Sequence, residues 1–74
     1  MMPMQYLVVV EKSENGYGAY VPDLPGCVAM AETREETVSL IQEAIEFHIN
    51  GLKRSGESVP EPKSQGELVD VHAA

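Results

Sequence analysis

Only one cysteine, Cys27, occurs in this sequence, so no internal disulfide can brace the fold. His48 and His72 have no second cysteine or nearby acid at a spacing typical of zinc ligands, and a structural metal is therefore not expected. Basic side chains are also scarce: 5 Lys and Arg stand against 12 Asp and Glu, a formal charge of −7. That balance repels phosphates and cannot supply the counterion-releasing contacts of nucleic acid binding. The longest apolar run, Tyr6 to Val10, is far too short to span a bilayer. No segment reads as a secretory signal, and the expected compartment is a reducing cytoplasm. Gly16 and Gly18 flank Tyr17 without the lysine and hydroxyl of a phosphate loop, so no nucleotide and no other cofactor is expected.

What remains is a chain of 74 residues, enough for a single domain, 1–74, with one core. A domain of this size buries only about 60% of its unfolded surface and commonly relies on a disulfide, a metal or association for added stability. With the first two missing, association with itself or with a partner is the expectation.

Met4 to Lys12 reads as a first strand whose apolar run lacks alternation, as in a strand covered on both faces. Ser13 to Gly16 forms a turn cluster, with Asn15 and Gly16 suited to the positive φ of a tight hairpin. A second strand over 17–21 returns antiparallel and stops at Pro22, which has no amide hydrogen for a ladder. Pro22, Asp23, Leu24, Pro25 and Gly26 make a stiff turn, and Cys27 to Ala31 a third strand. Thr33 with Glu36 has capping-box spacing and predicts a helix start. Val38, Ile41, Ala44, Ile45, Ile49 and Leu52 then recur at helical intervals up to the terminating Gly56. The polar stretch 55–66, with Pro60 and Pro62, predicts an extended connection. Leu68, Val69 and Val71 predict a fourth strand, which the helical crossover allows to lie parallel to the first. The fold class is therefore α+β, a two-layer β-β-β-α-β arrangement with one helix on one sheet face.

Leu40 and Phe47 lie outside the inward stripe, seven residues apart and nearly superimposed on a helical wheel. They widen the apolar arc to roughly 200°, beyond the ≳100° that a surface helix needs. A single helix covers one sheet face only, yet the first strand is apolar on both. The second face requires either the connection 55–66 or another polypeptide, and the polarity of the connection favours the polypeptide. Leu40, Ala44, Phe47 and His48 on the helix, with Tyr20 on the second strand, are the candidate partner or oligomer interface.

Catalysis is not expected. Glu11, Asp23, Glu43, Glu46 and Asp70 are the acids that could converge for acid–base or metal work, and Glu43 and Glu46 oppose the apolar stripe as solvated charge. His48 falls at the rim of the apolar arc with no nucleophile to serve. Cys27 lacks a cationic neighbour and reads as a small buried strand residue. A metal-dependent nuclease would need two converging acids, Asp70 among them.

The run Tyr17-Gly18-Ala19-Tyr20-Val21-Pro22-Asp23-Leu24-Pro25-Gly26-Cys27, followed by Glu32-Thr33, Glu36 and Glu43-Ala44-Ile45 and preceded by Tyr6 to Glu11, resembles the HicB-type antitoxins and their small HicB-like relatives over about two thirds of the chain. The resemblance implies a partial ribonuclease-H-like fold without the nuclease's acidic centre. It implies Pro22 to Gly26, Thr33 and Glu36 as the structural motif. It also implies a protein partner, a small basic HicA-type ribonuclease that cleaves messenger RNA and is neutralised by covering. Full-length antitoxins of this type usually carry a C-terminal DNA-binding segment, which is not expected here. Ala31 stands where the family commonly has glycine and Thr37 where it often has alanine. The leading expectation is an antitoxin; the alternative is a stand-alone HicB-like homo-oligomer, dimer or tetramer, with a regulatory role and no toxin.

Overall fold

The computed structural model describes residues 4–73. Three antiparallel strands, β1 (Val9–Ser13), β2 (Gly16–Tyr20) and β3 (Val28–Ala31), form a sheet in the order β1-β2-β3, and one helix, α1 (Arg34–Arg54), packs on it. The expected α+β meander with one helix is present. β1 begins later than its apolar run, because β2 ends opposite Val9 at Tyr20 and nothing pairs with Met4 to Val8.

Ser13 pairs with Gly16 across a two-residue turn. Asn15 keeps a negative φ, so the positive-φ hairpin expected of Asn15-Gly16 is confined to Gly16, at 155°. Gly16 is required for another reason: a Cβ there would land on the Ala31 carbonyl oxygen of β3.

The segment between β2 and β3 is two linked turns. Leu24 N–H donates to the Val21 carbonyl at 3.0 Å, and Cys27 N–H to the Leu24 carbonyl at 3.1 Å. In the second turn Pro25 precedes Gly26, whose φ of 84° is the type II requirement met by glycine. This geometry drives Leu24 inward, where it is fully buried with Ile41. Val21, Cys27 and Ala19 complete the buried apolar core, and Tyr6, Val8, Val10, Ala29, Ala44 and Ile45 pack around it.

Thr33 caps the helix as its spacing with Glu36 predicts, but the Glu36 carboxylate meets the Thr33 hydroxyl and not its backbone N–H, so the reciprocal half of the box is not made. The Thr33 Oγ1 accepts from the Glu36 N–H at 3.1 Å and donates to Glu36 Oε1 at 2.9 Å. Glu35 and Glu36 occupy the first turn and Lys53 and Arg54 the last, each sign matched to the helix dipole. The helix passes through Gly51 and ends in a Schellman motif: Glu57 N–H reaches the Leu52 carbonyl at 2.9 Å and Gly56 N–H the Lys53 carbonyl at 3.2 Å, with Gly56 at φ 72°.

Two expectations need correction. Val38 is exposed, and Thr37 takes the inward position instead, fully buried, its hydroxyl donating to the Thr33 carbonyl at 2.8 Å. The carbonyl bond removes the cost of burying a hydroxyl, so polarity misled the reading of the stripe. The fourth strand, parallel to β1, is not formed among the described residues. The connection after α1 runs beside Met4 to Leu7, tied through side chains and not through a backbone ladder, and Leu68 beyond it is 100% exposed.

Candidate interaction surface

Ala19 is buried beneath α1, and its ladder partners Val10 and Ala29 pack on the same core. Strand alternation therefore puts Val9, Tyr20, Val28 and Met30 on the opposite, uncovered side. In β3 the usual size pattern is inverted: the inward residues are alanines, while Val28 is 64% and Met30 76% exposed. The methyl-sized inner face lets the helix approach closely, and the bulky residues are left outside.

On α1, Thr37, Ile41, Ala44 and His48 share the inward side by spacing, and Thr37 and Ile41 are its buried members. The helix is about 31 Å long at 1.5 Å per residue, whereas β3 spans only about 13 Å. Its second half outruns the sheet, which is why His48, Ile49 and Leu52 are only half-buried. Along one flank, Leu40 is 42% and Phe47 77% exposed. Glu36 and Glu43 stand four and three residues from Leu40, so this apolar flank has an acidic border.

The structure thus puts Leu40 and Phe47 together on one exposed helix flank, whereas Ala44 packs against the core and His48 is half-buried on the same inward side. It places Tyr20 on the far side of the sheet, away from them. Pro22, Pro25 and Gly26 are exposed turn residues, and Leu24 is a core plug.

Asp23 has a role that the sequence reading missed. Its Oδ2 accepts from the Lys63 and Ser64 N–H groups, both at 2.8 Å, and its Oδ1 from the Ser64 hydroxyl at 2.8 Å. The Ser64 and Lys63 amides, then the Ser64 hydroxyl, hold its carboxyl below the usual aspartate range against a small opposing effect of burial. Tyr6 donates its hydroxyl to the Pro60 carbonyl. Burial first, and then the charges of Asp23 and Glu61, push the Tyr6 phenol up. Between these ties a shallow groove is lined by Met4 to Leu7 and Pro62 to Gly66. No local pattern announces a contact this remote in sequence; a turn aspartate ordinarily serves its own turn.

Cys27 is buried, and burial pushes its thiol up. No group of three or more His, Cys, Asp or Glu converges as a metal site among the described residues, and no helix there is long and apolar enough to cross a membrane. What these residues do present is exposed apolar surface on a small α+β scaffold.

Comparison with known proteins identifies the scaffold. The model of the HicB-like antitoxin of bacterial toxin–antitoxin systems matches residues 6–73, and the chain belongs to that family. It is 39% identical over 71 residues to UPF0150 protein Ta0767 of Thermoplasma acidophilum, covering 95% of this chain and 100% of that protein. Antitoxin HicB 2 of Photorhabdus laumondii is 31% identical over 72 residues; the match takes in 96% of this chain but only 52% of that relative. A chain of the solved HicA3 and HicB3 toxin–antitoxin complex superposes with a TM-score of 0.69 at 30% identity, over 80% of this chain and 70% of that one.

Proposed function

We propose that this protein is an antitoxin that binds and neutralises a small basic HicA-type ribonuclease through the acidic-bordered flank of α1. The likeness to a chain of the HicA3 and HicB3 complex carries this reading. The flank supports it physically. Leu40 and Phe47 supply apolar area that the fold does not consume, and Glu36 and Glu43 border it with charge opposite to that of a basic partner. The formal charge of −7 steers such a partner inward before contact. The action is occlusion: the ribonuclease is held with its working surface covered, and this chain contributes no reacting group.

Co-expression with a HicA-type toxin should rescue growth and yield a co-purifying complex. Leu40→Glu with Phe47→Glu should abolish both and leave the circular dichroism of the free chain unchanged. Failure of the wild-type chain to rescue or to co-purify would count decisively against the reading.

A second reading is a stand-alone HicB-like regulatory or interaction protein without a toxin partner. A short basic reading frame beside the gene separates the two.

A further inference from the structure

We infer that Asn15 is a site of spontaneous covalent modification, losing its side-chain amide by cyclising onto the backbone nitrogen of Gly16, while Asn50 is protected from the same reaction by α1. Both asparagines of the chain precede a glycine, Asn15-Gly16 and Asn50-Gly51. In each pair the glycine has no Cβ to hinder the approach of its nitrogen to the asparagine carboxamide. Both asparagines are also exposed to the water that the reaction consumes. Sequence and exposure make the two sites equal, and the backbone makes them different.

Asn15 is the second residue of the two-residue turn between β1 and β2, and the Ser13–Gly16 rung beside it is the last of the ladder. Only that terminal rung has to open for the Gly16 nitrogen to reach Asn15 Cγ, and the end of a ladder opens at little cost. Asn50 lies inside α1, where the Gly51 N–H belongs to the helical ladder and the Gly51 carbonyl accepts from the Ser55 N–H at 3.1 Å. Turning the Asn50 peptide into line for attack would unwind the final turn together with its Gly56 cap.

In the reaction the Gly16 nitrogen gives its proton to solvent base and bonds to Asn15 Cγ. The Cγ–Nδ2 bond breaks, ammonia leaves and a cyclic imide remains. Water then opens the imide at one of its two carbonyls, with no change of oxidation state. Breaking the new bond restores the ordinary backbone and leaves aspartate at position 15, beside Glu14, one negative charge beyond the present −7. Breaking the original backbone bond leaves isoaspartate, with the chain routed through the side-chain carbons and lengthened by one atom. A two-residue turn has no slack for that atom. Gly16 is already so close to β3 that a Cβ there would land on the Ala31 carbonyl oxygen. The aspartate product therefore keeps the hairpin, and the isoaspartate product opens it.

The test holds the folded full chain at mildly alkaline pH and follows the peptides containing Asn15 and Asn50 by mass spectrometry, with isoaspartyl methyltransferase labelling to separate the two products. Asn15 should convert about tenfold faster than Asn50 or more, and the ratio should approach one in denaturant. The isolated isoaspartate form should lose amide protection in β1 and β2. Asn15→Gln should stop the reaction at that position, since the larger ring closes far more slowly, and should leave the circular dichroism unchanged. Equal rates at the two sites in the folded chain overturn the assignment, as does an Asn15 that stays intact there while the denatured chain converts.

Discussion

Asp23 and Ser64, 41 positions apart, are joined by two hydrogen bonds of 2.8 Å, one from the backbone amide and one from the hydroxyl. With the Lys63 amide they form a clip between the β2–β3 turn and the chain that follows the helix. Asp23→Ala should therefore release residues 60–66 and leave the sheet and helix intact, seen as faster amide exchange and earlier protease cleavage there. Ser64→Ala should give a smaller effect in the same direction, because both backbone amides keep their acceptor. Equal cleavage of wild type and Asp23→Ala would show that the clip holds nothing.

The clip should also respond to acid. Because the folded state holds the Asp23 carboxyl below its ordinary value of 3.8, the attachment is fully present above that value and is lost as pH falls through the lower folded value. Exchange at Lys63 and Ser64, corrected for intrinsic rate, should rise in that acid window. The response should be absent from Asp23→Asn, which has no carboxyl to protonate.

Leu24 and Phe47 look alike by composition and should behave oppositely. Leu24→Ala leaves a cavity beneath the turn and should cost about 2–5 kcal/mol in urea or thermal unfolding. Phe47→Ala removes an exposed ring and should stay within about 0.5 kcal/mol. A large loss at Phe47 would mean that the flank belongs to the core.

Gly16→Ala should destabilise the hairpin by more than the usual ~1 kcal/mol of a point change, since its new methyl meets the Ala31 carbonyl and neither backbone can move cheaply. Loss of dispersion at Ala31 in an NMR spectrum would locate the damage. Thr33→Ala should cost about 1 kcal/mol as a lost helix cap.

Cys27 should resist thiol reagents in the folded chain and react at the rate of global opening. Its raised thiol also gives the alkaline side of the stability curve a sign. The contribution is fully present below the ordinary thiol value of 9.0 and declines as pH rises through the folded value above it. Cys27→Ala should flatten that decline.

The elements set by local chemistry were legible in the sequence. Pro22 stopping β2, the stiff turn from Pro22 to Gly26, the Thr33 cap and the Gly56 terminus each act within a few residues, and the structure has each within one or two positions of where the sequence puts it. Leu40 and Phe47 were also recognised as lying outside the inward stripe, because helical spacing alone decides that. What was missed depends on distant partners. Thr37 is inward because a carbonyl one turn back takes its hydroxyl, which made a polar residue look like surface and moved Val38 into its place. The last strand was expected from its apolar residues, but the preceding connection is held where Tyr6 and Asp23 bind it, and Leu68 finds no neighbour. The orientation of β3 was hidden because a run of small and medium apolar residues gives no contrast between its two sides.

That reversed size pattern in β3 also separates two kinds of tolerance. Enlarging Ala29, which packs against the core, would push the helix off the sheet, so that position is locked by the interior. Positions 28 and 30 touch no helix, and their side chains can be exchanged without repacking anything beneath them. One short strand thus offers an adjustable outer register on a fixed inner one, and new recognition can be installed there without rebuilding the scaffold that displays it.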